Sequence, residues 1–110
     1  MTRQAITTHI LDLVTGKPAA GVVVQLFESE KQLASGLTDS DGRVVNWSDA
    51  FELRSSTYKL VFSVGSYFLK QGMEPFYEDI AIAFRASEDE NHYHVPLLLS
   101  HYGYSTYRGS

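Results

Sequence analysis

The feature that most constrains this chain is a two-residue alternation of apolar and polar side chains, cut at short intervals by turn residues. The clearest run has Tyr58, Leu60, Phe62 and Val64 alternating with Lys59, Val61 and Ser63. Strand side chains alternate across a sheet, whereas helical ones repeat every 3.6 residues, so this run fits a half-buried strand and not a helix. The same reading predicts strands over Ala5–Leu13, the β-branched Val22–Glu28, and about Gln32–Thr38. Val14-Thr15-Gly16-Lys17-Pro18 breaks the first, and Asp39-Ser40-Asp41-Gly42 forms a tight turn from which Arg43-Val44-Val45 emerges extended.

Beyond the central run, Ser66 to Gln71, bracketed by a capping serine and Gly72, predicts one short helix, which Pro75 prevents from continuing. Ile80, Ile82 and Phe84 mark another strand, and Ser87-Glu88-Asp89-Glu90-Asn91 an acidic turn. The last long strand is His92–Ser100. Its Tyr93, Val95, Leu97 and Leu99 share one face, and His92, His94, Pro96, Leu98 and Ser100 the other. The Tyr-, Ser- and Thr-rich tail from Tyr102 adds one more strand and an exposed stub. The expectation is an all-β sandwich of about seven or eight strands with one short helix.

With 110 residues, the chain reads as one domain over 1–110. A core of that size has a modest margin, which oligomerisation would widen. Nine scattered Lys and Arg face 13 Asp and Glu, so neither nucleic acid nor an anionic membrane surface is an expected partner. The absence of cysteine removes disulfides, thiolate metal sites and a cysteine nucleophile. No apolar run approaches the roughly 20 residues of a membrane helix. Met1-Thr2-Arg3-Gln4 leads into alternating residues and not a signal-peptide apolar block, which reads as a cytoplasmic chain from its own initiator. A periplasmic chain whose leader has been removed is the alternative.

Four histidines, His9, His92, His94 and His101, are the candidate acid–base groups. Taken singly, each is most simply a surface or satisfied strand residue. His92 and His94 differ as a pair, because their spacing puts both on the strand face turned away from the core. A zinc site on His-x-His needs a third and usually a fourth ligand. No Asp, Glu or Cys stands at such a spacing, so no metal is assigned. The direction of His9 stays open at this level. Arg43, after Asp-x-Asp-Gly, is either a solvated turn residue paired with Asp41 or a planar fork for carbonyls or an anion. The turn lacks the downstream acid of a calcium loop.

Taken together, His92–Ser100 and the tail Tyr102-Gly103-Tyr104-Ser105-Thr106-Tyr107-Arg108-Gly109-Ser110 resemble the signature of the 5-hydroxyisourate hydrolases. Thr7-Thr8-His9-Ile10-Leu11-Asp12 resembles that family's opening strand, and Thr38–Arg43 its central turn. The likeness spans nearly the whole chain. Tyr-Arg-Gly-Ser is its most specific element, because it separates these hydrolases from transthyretin, the hormone carrier of the same fold. One departure is His101, where the family has Pro, and it bears on the approach of the tail.

The resemblance implies a transthyretin-like homotetramer with sites at the dimer–dimer interface. The implied substrate is 5-hydroxyisourate, hydrolysed to 2-oxo-4-hydroxy-4-carboxy-5-ureidoimidazoline without metal or organic cofactor. It implies catalytic roles for His9, Arg43 and His94, and substrate binding by His9, Arg43 and Tyr107. Arg108 and the Ser110 carboxylate are expected to support the wall. A transthyretin-like carrier of a small aromatic ligand is the competing expectation, and a purely structural interaction domain the third.

Overall fold

The computed structural model describes residues 4–110. Met1-Thr2-Arg3, on which the reading of the start depends, lies outside the described residues. Two four-stranded sheets form the sandwich. One has the order β2-β1-β7-β8, from Lys17–Pro18, Ile6–Asp12, Tyr93–Leu99 and Tyr104–Thr106. The other has the order β4-β3-β5-β6, from Lys31–Leu37, Val23–Glu28, Ser56–Phe62 and Ile80–Ala86. The second sheet is wholly antiparallel, whereas β1 and β7 run parallel.

The alternation dictates what each sheet buries. Ile6 and Ile10 of β1 and Leu97 and Leu99 of β7 are fully enclosed, as are Val24, Leu26, Tyr58, Leu60 and Phe62 from the facing sheet. Two buried polar groups are matched locally: the Trp47 indole N–H donates to the Ile6 carbonyl at 2.9 Å, and the Arg54 N–H donates to the Tyr58 hydroxyl at 2.9 Å. Buried polar atoms without such partners would cost about 1–3 kcal/mol each.

The strands fall where the sequence predicts them, with ends displaced by one or two residues. Three segments differ in kind. Lys17–Pro18, expected as pure turn, pairs as a two-residue edge strand with Leu11 and Asp12. Proline is tolerated there because an edge position needs no donor. Arg43–Val45, expected as an extended run, forms only a single bridge to His9, after which the chain turns inward to bury Val44 and Trp47. The helix α1 spans Val64–Leu69, not Ser66–Gln71, and its N-cap is Ser63, without a side-chain cap bond. Val64 and Phe68 explain the earlier start: one turn apart on a helix, both are buried to 1% exposure. Gly72, at φ +74°, follows the helix end as expected.

α1 is tied to β1 through one buried acid. Asp12 is fully enclosed and accepts from the Val14 N–H at 2.8 Å, the Thr15 N–H at 3.3 Å and the Tyr67 hydroxyl at 2.7 Å. Tyr67→Phe removes one donor from this carboxylate and is expected to cost about 1.5–3 kcal/mol in urea unfolding. Burial first, and then its bond to Asp12, hold the Tyr67 phenol above its ordinary 10.0. A folded-state value above the unfolded one stabilises the fold below about pH 10 and is lost as pH rises through the raised value. Urea unfolding across the alkaline range is therefore expected to show a steeper loss in the native chain than in Tyr67→Phe. Equal slopes would place the loss elsewhere.

Candidate active site

The outer face of the β2-β1-β7-β8 sheet is built by the alternation of β1 and β7. In β1, Thr8 faces the core at 1% exposure and donates its hydroxyl to the Val95 carbonyl at 2.7 Å. Thr7 and His9 therefore point the opposite way. The parallel register sets Thr7 beside His94 and His9 beside Pro96. Tyr93, Val95, Leu97 and Leu99 of β7 are buried, so His94 shares the outer face with Thr7 and His9. This answers the question of direction that the sequence left open for His9. On ideal sheet spacings the His9 and His94 Cα atoms stand about 8 Å apart, within reach of one small molecule.

Arg43 arrives on the other side of His9. The Asp39 carboxylate accepts from the Asp41 and Arg43 N–H groups at 2.9 and 3.0 Å, and the Gly42 N–H donates to the Asp39 carbonyl at 2.9 Å. Gly42 has φ +74°, and a Cβ there would stand 2.5 Å from the Ile10 carbonyl oxygen. Glycine is thus required both by conformation and by space. The Ile10 N–H in turn donates to the Gly42 carbonyl at 2.8 Å, and the His9–Arg43 bridge follows. Val44 is buried and Arg43 exposed, so the guanidinium lies on the His9 side of the sheet. Among the described residues, the Arg43 guanidinium is not ion-paired; the one pair formed joins Arg108 to Glu90. Pairing with Asp41, the simpler reading of Arg43, does not occur.

The tail completes the row. β8 pairs with β7 from Leu97–Thr106 to Leu99–Tyr104, and the same register reappears at the His94–Gly109 bridge. Tyr107 therefore lies opposite Pro96, on the His94 face, with 58% of its surface exposed. Arg43, His9, Pro96 and Tyr107 form one line across the sheet, with Thr7, His94 and Gly109 beside it. The four residues expected from the sequence thus share one face. Gly109 seats the tail: its N–H donates to the His94 carbonyl at 2.8 Å, and a Cβ there would stand 2.5 Å from His94 Cδ2.

One expectation is corrected and one residue is added. Arg108 does not support this wall. It faces the inner side, over the Tyr93 ring at 4.7 Å and toward Glu90 at 3.8 Å, because its neighbours Tyr107 and Gly109 take the outer side. At the departure from the family, the His101 carbonyl accepts from the Phe76 N–H at 2.7 Å, and the Ser100 N–H donates to the Gly103 carbonyl at 2.9 Å, closing the turn into β8. The added residue is Thr7, whose hydroxyl lies 2.8 Å from His94 Nδ1 and 3.2 Å from His92 Nε2. Its signal in the sequence was its spacing of two from His9. Among the described residues no group of three His, Asp or Glu side chains converges as a metal site, and no helix is long and apolar enough to cross a membrane. Two imidazoles, a guanidinium and a phenol on one face suit a small planar ligand rich in carbonyl oxygens.

Comparison with known proteins adds the following. The model of the HIUase/Transthyretin family matches residues 6–109. The 5-hydroxyisourate hydrolase of Salmonella dublin is 44% identical over 109 residues, covering 96% of this chain and 80% of that protein. The solved structure of Klebsiella pneumoniae 5-hydroxyisourate hydrolase superposes with a TM-score of 0.87 at 37% identity, over 97% of this chain and 100% of its own. Sea bream transthyretin in complex with thyroxine gives a TM-score of 0.89 at 29% identity, over 96% and 95%. Shape alone does not separate the enzyme from the carrier, since the two TM-scores differ by little. Sequence does, by 44% and 37% against 29%.

Proposed function

The chain belongs to the HIUase/Transthyretin family, and from that premise we propose that it is a hydrolase of 5-hydroxyisourate in urate breakdown. The observation that supports this reading most is the single sheet face on which His9, Arg43, His94 and Tyr107 come together. The reaction adds water to a ring carbonyl of the substrate and breaks that carbon's bond to the ring nitrogen. The carbon becomes the product's carboxylate, the nitrogen is the leaving group and takes a proton, and the six-membered ring opens to 2-oxo-4-hydroxy-4-carboxy-5-ureidoimidazoline. His9 and His94 hold and deprotonate the water. Arg43 binds the substrate's oxygens and stabilises the oxyanion as it forms. Tyr107 fixes the ring. None of these steps draws on a metal or an organic cofactor.

An open sheet face does not bury a small ligand by itself; binding sites enclose most of their ligand's surface. The family resemblance implies a homotetramer, and in it a second copy closes over this face. Light scattering at micromolar concentration is expected to give the tetramer mass. A monomer that still turns over substrate would remove the need for a facing copy.

The direct test generates 5-hydroxyisourate with a urate oxidase and follows its ultraviolet absorbance. Decay is expected to accelerate in proportion to added protein, and to be unchanged by a chelator. Decay at the spontaneous rate would overturn the hydrolase reading in favour of a carrier.

A further inference from the structure

Behind His94 runs a chain of hydrogen bonds that ring opening itself does not call for. The Gln4 carbonyl oxygen lies 2.6 Å from His92 Nδ1. His92 Nε2 lies 3.2 Å from Thr7 Oγ1, and Thr7 Oγ1 lies 2.8 Å from His94 Nδ1. The register that sets Thr7 beside His94 also places it between the two rings, since His92 precedes His94 by two residues on the same face.

The direction of each bond follows from what the groups can do. A carbonyl oxygen only accepts, so His92 Nδ1 carries a hydrogen. Neutral His92 then has its lone pair on Nε2, and the Thr7 hydroxyl donates its one hydrogen there. Thr7 Oγ1 has no second hydrogen, so toward His94 it accepts. His94 therefore carries its hydrogen on Nδ1, and the lone pair of the neutral ring sits on Nε2.

We propose that Thr7 and His92 are positioning residues that hold His94 in the tautomer whose Nε2 accepts the proton of the attacking water. The relay rests on the reading of His94 as a group that deprotonates water. Without the Thr7 hydroxyl, Nδ1 loses the acceptor that holds the hydrogen there. The population of rings with Nε2 available then falls, and turnover falls with it. Partners that orient a metal-bound histidine are worth about tenfold or more in activity, and the same order is expected where the partner orients a proton acceptor. His92 and Thr7 touch no substrate in this scheme, so the loss appears in kcat and leaves KM nearly unchanged.

The test uses the full chain and three variants. Thr7→Val keeps the shape and removes the hydroxyl, Thr7→Ser restores the hydroxyl, and His92→Ala removes the far end of the relay. Imidazole ¹⁵N spectra report which nitrogen of His94 carries hydrogen, independently of activity. The native chain and Thr7→Ser are expected to show hydrogen on Nδ1. Thr7→Val and His92→Ala are expected to shift His94 toward hydrogen on Nε2, with kcat lower by about tenfold. Native His94 with its hydrogen on Nε2, or a tautomer unmoved in Thr7→Val, would overturn the proposal. So would a shifted tautomer with unchanged kcat, since His94 would then not be the proton acceptor. Failure of the hydrolase reading is distinguished by the native chain's own assay, in which no turnover appears whatever the tautomer.

Discussion

A chain ending at Thr106 is expected to fold but not to turn over 5-hydroxyisourate. The cut spares β8, which ends at Thr106 and whose Thr106 hydroxyl donates to the Pro96 carbonyl at 2.7 Å. It removes Tyr107 from its place opposite Pro96 and Gly109 from its seat against His94. It also removes the Gly109 N–H bond and the exposed contacts of Arg108 with Tyr93 and Glu90. Those together are worth about 1–3 kcal/mol, a fall in melting temperature of roughly 10 °C. Turnover, circular dichroism and mass are to be measured on the same preparation. Surviving turnover would take the tail out of the site, and joint loss of fold and turnover would make it structural. Gly109→Ala separates the two with one carbon. It crowds the His94 ring while keeping Tyr107 and Arg108, so turnover should drop with little change in melting.

His9→Asn, His94→Asn and Arg43→Ala are each expected to lower turnover by roughly 10²-fold or more, the usual scale for lost acid–base or oxyanion groups. The three differ in what else they disturb. His9 sits between Pro96 and Arg43, so its loss touches both sides of the row. Arg43→Ala removes a binding group as well as an oxyanion partner, so KM should rise along with the fall in kcat. The turn that delivers residue 43 is held by Asp39 and Gly42 and not by the guanidinium, so the fold should be unaffected. His92→Asn should be far milder than His94→Asn. Steady-state kinetics with enzymatically generated substrate decide each case, and near-native turnover in a variant removes that residue from the mechanism.

The strands were legible because period two is a local property: burial in β5 and β7 follows parity, save at Pro96, which is buried on the outer face. His94 could be placed on the outer face for the same reason. The direction of His9 was not legible, because it depends on which strand lies beside β1 and in what register. That pairing joins residues 87 positions apart. Arg43 was suspected from its turn, but its approach to His9 comes from the Ile10–Gly42 hydrogen bond, which no local pattern encodes. The helix start was misplaced because a serine suggests a cap, whereas the burial of Val64 and Phe68 decides the register. Thr7 carries no local signal beyond its parity with His9. Its role appears only when β7 lies alongside and supplies two imidazoles.

The parallel pairing of β1 with β7 also sets an order of events during synthesis. All four strands of the β4-β3-β5-β6 sheet have been made by Ala86, and antiparallel neighbours can pair as they emerge. β1 has left the ribosome long before. Until Tyr93–Leu99 follows, it has only Lys17–Pro18 and the single bridge to Arg43 along one edge, while its other edge has no strand. Closing so long a loop is slow, and an unpaired apolar strand invites pairing with other chains in the meantime. Chains released at Asn91 and at Ser100 should therefore differ sharply in protease resistance and in aggregation, although they differ by only one strand.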